Sequence, residues 1–249
     1  MGTDMPKFFV RQEQIEGDLI TLRGDDAFHI SRALRMAKGE RISVSDMQGT
    51  EYECELEAFL TDTVQARILS RRAADSEPPK KIYLYQALPK GDKLDTVIQK
   101  AVECGVYEIR PFESERCVVK SKGDAEVRKT ERRNRIALEA AKQCGRGHVP
   151  TVCATVDFRE AMVAACEADL CLFCYEGESE QSLKRVLLER GREAQSIAVV
   201  VGSEGGFSVS EADLAIQMGA ASVSLGKRIL RTETVASFVL GCLAYEYEM

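Results

Sequence analysis

The first 74 residues alternate apolar and polar positions in short runs, the pattern of β-strands that bury one face. The predicted strands cover residues 8–10, 18–22, 41–46, 51–58 and 63–70. One helix interrupts them: Asp25 or Asp26 caps residues 27–36, and Lys38 with Gly39 ends it. Short strands with a single helix predict a small β-barrel.

From residue 82 onward, apolar strand-like runs alternate with helices. The predicted strands cover residues 82–88, 108–112, 169–175 and 197–201, with a short one near 223–225. The predicted helices cover residues 94–104, 128–144, 158–166, 182–190 and 234–247, with one more after Ser208 or Ser210. This alternation predicts an α/β domain built on a mostly parallel sheet, with helices on both faces.

The stretch at 71–81 separates these two patterns. Its consecutive prolines, Pro78 and Pro79, cannot continue a helix and favour an extended spacer. The sequence therefore predicts two domains, at residues 1–74 and 75–249.

Net charge, hydropathy and cysteine content exclude several classes of protein. The net charge of −6 argues against indiscriminate nucleic-acid binding, although phosphate contacts act locally, within a Debye length of about 10 Å. No apolar run approaches the roughly 18 residues of a membrane span. Nine cysteines, an odd number without a signal peptide, indicate reduced thiols and a cytoplasmic protein.

The chain has few residues that could bind a metal ion. His29 and His148 are its two histidines. Cys171 and Cys174 form a C-x-x-C motif, but three residues apart in a strand they face opposite sides. A buried structural role is the interpretation we favour, and no metal is predicted.

Two loops near the C-terminus carry the candidate chemistry. The apolar run 197–201 leads into a glycine-rich loop, and a second short strand leaves through Gly226 towards the last helix. Two such loops at one end of neighbouring strands place backbone N–H groups around a polar ligand. The glycine spacing is neither that of a Rossmann fingerprint nor that of a phosphate-binding P-loop. An ordinary strand-to-helix turn is the alternative for the first loop alone.

The run VGSEGGFSVSE, followed by SLGKRILRTETV, closely resembles the C-terminal signature of the SPOUT methyltransferases. Within them it is similar to the 16S ribosomal RNA (uracil-N3)-methyltransferase family, whose usual form is GPEGGF and then LG-x-RILRTETA. Ser203 stands where proline is usual, and Val235 where a small residue is commoner. The similarity extends over nearly the whole chain.

This resemblance implies a PUA-like RNA-binding barrel, a trefoil-knotted C-terminal domain that forms homodimers, and S-adenosylmethionine as cofactor. It implies methyl transfer to N3 of a uridine in small-subunit ribosomal RNA. The implied cofactor-binding residues are Leu172, Phe173, Tyr175, Glu176, Gly202, Glu204, Gly205, Gly206, Leu225, Gly226, Ile229, Leu230, Arg231, Thr232 and Thr234.

The resemblance also places Arg231 and Glu233 beside the transferred methyl group. A cation there stabilises the uracil anion, and a carboxylate accepts the N3 proton. The alternative is a mutual ion pair or a helix cap. The candidate RNA-binding residues are Arg11, Arg32, Arg35, Arg116, Gln143 and Arg146. Arg32 and Arg35, with Lys38 and Arg41, form a basic edge of the N-terminal segment, alongside Lys7 and Arg11. The resemblance implies that Arg116, Gln143 and Arg146 also face RNA.

Three other functions stay open. A related SPOUT family methylates ribose 2′-oxygens, but its third motif typically has an asparagine where Gly226 follows Leu225 here. A non-catalytic RNA-binding protein would use the barrel alone. A nucleotide-binding α/β enzyme is disfavoured by the missing phosphate-loop lysine.

Overall fold

A computed structural model describes residues 5–120 and 124–249, residues 124 and 125 by their backbone alone. The chain forms two compact units. The N-terminal unit contains residues 5–77 and the segment Lys142–Val149; the C-terminal unit contains Pro78–Ala141 and Pro150–Met249.

The N-terminal unit is built on a six-stranded sheet in the order β1-β4-β5-β6-β3-β2. Its strands are β1 Lys7–Phe9, β2 Ile15–Glu16, β3 Leu19–Arg23, β4 Arg41–Ser45, β5 Thr50–Phe59 and β6 Thr63–Ala73. The pair β1–β4 is parallel and the other pairs are antiparallel. Alternate apolar side chains, among them Ile20, Leu22, Ile42 and Leu56, are completely buried in one core. The period-two pattern is thereby confirmed, although β2 was not predicted.

The helix of this unit is shorter than predicted. It begins as α1, Asp25–Phe28, and continues as a wider π-helical turn, His29–Ala33. The residue preceding it is Gly24, with φ of 59°, so Asp25 and Asp26 lie in the first turn and neither is the cap. The helix cannot reach residue 36 because Arg35 adopts the left-handed region, with φ of 54°.

The segment Lys142–Val149 joins this unit through backbone hydrogen bonds. Gly49 donates to the Gly147 carbonyl at 3.0 Å, and Val149 donates to the Met47 carbonyl at 3.4 Å. Strand β6 extends to Ala73, so the linker is shorter than the 71–81 stretch identified in the sequence.

The C-terminal unit is built on a parallel sheet in the order β10-β8-β7-β12-β11-β13, with β9 also paired to β8. Its strands are β7 Lys81–Ala87, β8 Glu108–Glu113, β9 Thr151–Val152, β10 Val156–Asp157, β11 Leu170–Cys174, β12 Ser196–Val201 and β13 Ala221–Val223. Each described pair is parallel, which confirms the α/β prediction. Strand β12 lies in the middle and is buried from residue 197 to 201.

The helices of this unit follow the predicted alternation. They are α2 Lys93–Glu103, α3 Asp124–Cys144, α4 Phe158–Ala165, α5 Leu183–Val186 with a π-helical extension Leu187–Gly191, α6 Val209–Gln217 and α7 Thr232–Tyr247. Ser208, not Ser210, caps α6 and exchanges hydrogen bonds with Glu211. In the described parts of the chain no helix is long and apolar enough to cross a membrane.

Candidate functional site

A cavity of about 970 Å³ opens in the C-terminal unit, where β11, β12 and β13 end. Its volume is in the range of small-molecule sites, roughly 300–1,000 Å³. Most of its lining comes from the loops after these three strands: residues 174–176, 178–180 and 182, 201–204, 206, 207, 223–232 and 235, with Lys93 after β7. The parallel sheet thus brings the two loops singled out in the sequence to one edge.

The glycine-rich loop after β12 is a tight turn. The Gly206 N–H donates to the Ser203 carbonyl at 3.0 Å, and Gly206 has φ of 62°. A Cβ atom on Gly202 would lie 3.2 Å from Gly206 Cα and 3.2 Å from a ring carbon of Phe207. Side chains at these two glycines would therefore crowd or strain the turn.

A buried hydrogen-bond network joins the two loops. The Thr232 hydroxyl donates to the Gly202 carbonyl at 2.6 Å, and Gln86 Nε2 donates to the Thr232 hydroxyl at 2.9 Å. Gln86 lies near the carboxyl end of β7 and is completely buried. It also donates to the Ala87 carbonyl at 2.9 Å. These contacts fix the start of α7 against the glycine-rich loop.

Eleven of the expected cofactor-binding residues line the cavity. They are Tyr175, Glu176, Gly202, Glu204, Gly206, Leu225, Gly226, Ile229, Leu230, Arg231 and Thr232.

Four other expected residues do not line the cavity. Leu172 and Phe173 are completely buried, and the Phe173 ring packs 4.3 Å from that of Phe207, so both belong to the core beneath the site. Gly205 faces Arg116 instead, whose Cβ would lie 2.9 Å from an added Cβ. Thr234 is exposed on α7.

Lys93 is a site residue that the sequence interpretation missed. Its ammonium group lies 2.7 Å from a Glu204 carboxylate oxygen, which the Lys90 N–H also approaches at 3.1 Å. Burial raises the pKa of Glu204, but these donors outweigh it and the pKa lies below the ordinary value. The signal was available in the sequence, because Lys93 follows the first strand of the α/β pattern, and parallel strands end at one edge.

Arg231 and Glu233 form neither the mutual ion pair nor the side-chain cap considered as alternatives. Arg231 precedes α7 without a side-chain capping bond, and its exposed side chain lines the cavity. The nearest cation recorded for Glu233 is Lys93, at 3.9 Å. One buried oxygen of Glu233 has no hydrogen-bond partner among the described residues. Arg231 thus remains available for other contacts, whereas Glu233 does not line the cavity and its unpartnered oxygen is buried.

Five of the six candidate RNA-binding residues are exposed. Arg11, Arg32, Arg35 and Gln143 are exposed in the N-terminal unit, and Arg116 is exposed in the C-terminal unit, where it donates to the Gly205 carbonyl at 3.0 Å.

Arg146 has a different environment. It is 3% exposed, and its guanidinium lies 2.5 Å from a Glu77 carboxylate oxygen. Burial raises the pKa of Glu77, but Arg146 and the His148 N–H outweigh it and hold the pKa below the ordinary value. Arg146 therefore anchors the segment Lys142–Val149 rather than offering a free cation.

The basic edge is also smaller than the sequence suggests. Lys7 is ion-paired with Glu51, and Arg41 lies 2.6 Å from Glu53. Paired cations attract phosphate less than free ones do.

The cysteines are all free thiols. Cys171 is buried, and burial raises the pKa of Cys174 to about 12. Within the described residues no cluster of potential ligands could hold a metal ion.

Comparison with known proteins gives consistent matches over both units. Residues 76–244 match the family model described as an RNA methyltransferase domain, and residues 22–69 match an RNA methyltransferase PUA domain. The ribosomal RNA small subunit methyltransferase E of Bacillus subtilis is 32% identical over 251 residues, 98% of each chain.

Solved structures match over the full length as well. The ribosomal RNA small subunit methyltransferase E from Neisseria gonorrhoeae, solved with S-adenosyl methionine, is 30% identical with a TM-score of 0.81, covering 98% of each chain. A putative methyltransferase from Legionella pneumophila, also with this cofactor, is 30% identical with a TM-score of 0.78, covering 97% of this chain and 98% of the other.

Proposed function

This chain belongs to the family of ribosomal RNA small subunit methyltransferase E, and we propose that it methylates N3 of one uridine in small-subunit (16S) ribosomal RNA. S-adenosylmethionine is the methyl donor in this proposal. The observation that carries it is the cavity at the ends of β11–β13, with the exposed guanidinium of Arg231 on its lining. We assign RNA binding to the predicted 1–74 domain and catalysis to 75–249.

The residues of the cavity fit this cofactor. Leu225, Ile229 and Leu230 provide apolar contacts for an adenine ring, while the backbone of the two loops provides donors and acceptors. Glu176 lines the same cavity and offers a carboxylate to a cationic group. When bound, S-adenosylmethionine supplies an electrophilic methyl group, so the protein's own task is to orient and ionise the acceptor.

Arg231 and Glu233 are the residues we assign to the acceptor. The N3 proton of uracil is largely retained at neutral pH, and loss of that proton leaves negative charge on O2 and O4. A guanidinium aimed at either oxygen stabilises this anion. Glu233 is the proposed proton acceptor, because one of its oxygens has no hydrogen-bond partner among the described residues; Lys93 lies 3.9 Å from that oxygen.

RNA would be held by exposed polar side chains on both units, four arginines and one glutamine. We assign this role to Arg11, Arg32 and Arg35, together with Arg116 and Gln143. Since the protein carries a net charge of −6, local contacts must supply the attraction, and binding should weaken steeply with salt. Such a substrate places the protein in the cytoplasm.

We further propose a homodimer through α7. One face of this helix buries Ala236, Val239 and Leu243, while Phe238 and Tyr245 remain 39% and 72% exposed on another face. Exposed aromatic groups on a regular helix face are suited to a subunit interface. The trefoil knot implied by the resemblance remains part of the proposed fold of this domain.

Reverse transcription tests the proposed position directly. N3 lies on the Watson–Crick edge of uracil, so a methyl group there blocks pairing and stops the polymerase. Small-subunit ribosomal RNA incubated with protein and cofactor should give one new strong stop next to a uridine. The stop should be absent without cofactor. Methyl incorporation without any such stop would instead indicate another acceptor atom, including a ribose 2′-oxygen.

A further inference from the structure

An exposed aromatic ring stands out on α1 of the N-terminal unit. Phe28 is 66% exposed, whereas its neighbours Ala27 and Ile30 are buried and attach the helix to the sheet core. The ring therefore contributes little to the packing of this unit. An exposed phenylalanine alone needs no explanation, but its surroundings are unusual.

Free cations follow Phe28 along the chain. Arg32 comes one turn later, and Arg35 and Lys38 follow in an exposed stretch. None of the three has an ion pair among the described residues. Four other arginines of the same unit are paired with carboxylates: Arg41, Arg67, Arg71 and Arg72. The cations near Phe28 thus keep their full capacity for an anionic partner.

The backbone of Arg35 gives an independent indication. Arg35 ends the helix with φ of 54°, a position that favours glycine, and the Met36 N–H closes the turn on the Ile30 carbonyl at 3.0 Å. An arginine there costs stability relative to glycine. A strained residue with a free, exposed guanidinium indicates a functional contact rather than a packing role.

We propose that Phe28 is a stacking platform for an unpaired base of the RNA substrate, with Arg32 and Arg35 binding the adjoining phosphates. This rests on the proposed function, in which the substrate is RNA. Proteins recognise single-stranded RNA by stacking its splayed bases on aromatic rings beside basic side chains. Exposed guanidinium groups four and seven residues after one exposed ring match a base and its phosphates.

The charges at the N-terminal end of α1 favour one direction for the bound RNA strand. Asp25 and Asp26 occupy the first turn, before Phe28. Burial raises the pKa of Asp26, and Lys142 opposes that shift, while Asp25 is exposed. The Asp25 carboxylate repels phosphate. The strand should therefore leave Phe28 towards Arg32 and Arg35, and Asp25→Asn should tighten RNA binding.

The chain contains no tryptophan, so a single tryptophan reports on its own position. Phe28→Trp in the full-length protein would be titrated with small-subunit ribosomal RNA, a single-stranded oligouridylate and an RNA duplex of equal length. Phe59→Trp is the matched control: Phe59 is 38% exposed in the same unit, at the end of β5. Stacking should quench Phe28→Trp saturably with the single strands and much less with the duplex, leaving Phe59→Trp unchanged.

Binding variants complete the test. Phe28→Ala should weaken RNA binding about 5- to 100-fold, the usual cost of one lost stacking contact, while Phe28→Tyr stays near wild type. Unchanged emission of Phe28→Trp under conditions where RNA anisotropy shows binding, or wild-type affinity in Phe28→Ala, would overturn the proposal. If wild-type protein still methylates RNA in that case, only the stacking role fails. Absence of methylation by wild-type protein would instead remove the proposed function.

Discussion

The hydroxyl of Thr232 donates a 2.6 Å hydrogen bond to the carbonyl oxygen of Gly202. This contact joins the first residue of α7 to the loop after β12, 30 positions apart in sequence. Gln86, completely buried, supports it from β7 through its donor bond to the Thr232 hydroxyl. The two loops around the cavity are therefore held as one unit by side chains beneath them.

Thr232→Val should weaken S-adenosylmethionine binding about 5- to 100-fold. Valine has nearly the same shape as threonine, but it leaves the partly buried Gly202 carbonyl without this donor. Loss of such a partner typically costs about 1–3 kcal/mol. Isothermal titration calorimetry would measure the change. Ser237→Ala is the control on the same helix, because the one hydrogen bond of its hydroxyl within the described residues goes to the Glu233 carbonyl, at 3.4 Å. Equal affinities for wild type and Thr232→Val would show that the network does not organise the site.

Much of this arrangement could be predicted from local sequence. The strand β12, the glycine-rich turn and a cap at Ser208 or Ser210 follow from apolar runs, glycines and capping residues. The structure confirms the strand and the turn and places the cap at Ser208. Gln86 could not be predicted, because a single polar residue in an apolar strand gives no sign of its partner. Phe173 also needed the tertiary structure, since only the aromatic packing against Phe207 shows that it lies beneath the cavity.

Ion pairing was equally hidden in the sequence. Arg146 and Arg32 look alike as basic residues near turns, yet Arg146 is buried against Glu77 and Arg32 is exposed. The partner of Arg146 lies 69 positions away, so no local pattern could identify it. Paired and free cations can be separated only once the fold is known.

Arg231→Ala should lower turnover about 10²–10³-fold, the usual cost of losing one preorganised charge-stabilising donor. Cofactor affinity should change far less, because the loop contributes mainly backbone groups. Higher pH should partly restore turnover, since hydroxide ionises the uracil imide without help. Arg192→Ala is the control. The Arg192 carbonyl accepts a hydrogen bond from Lys80, which precedes β7, so Arg192 lies at the amino ends of the strands, away from the cavity at their carboxyl ends. Full turnover in Arg231→Ala would exclude this role.

Glu77→Gln should destabilise the protein most at neutral pH. The pKa of Glu77 is held below its ordinary value of 4.5 in the folded state, so its stabilisation is present above pH 4.5 and is lost as the pH falls through the folded pKa. The difference in Tm between wild type and Glu77→Gln should shrink on acidification. Glu40→Gln, at an exposed position of the same unit, is the control. A difference that is constant with pH would exclude an ionic role for Glu77.

Phe238→Glu should convert the proposed dimer to a monomer. The substitution places a charge on the exposed face of α7, where an interface would have to desolvate it. Val163→Glu, at a 50% exposed position of α4, is the matched control and should leave the mass unchanged. Light scattering at micromolar concentration distinguishes the two outcomes. A monomeric wild-type protein would exclude the dimer itself.

Mass spectrometry of nucleosides tests the central claim most directly. Small-subunit ribosomal RNA would be incubated with the protein and S-adenosylmethionine carrying a labelled methyl group, then digested to nucleosides. The reaction should give labelled 3-methyluridine as its single product, with the yield lowered in Arg231→Ala. A labelled 2′-O-methyl nucleoside, or a label on any base atom other than uracil N3, would contradict the account.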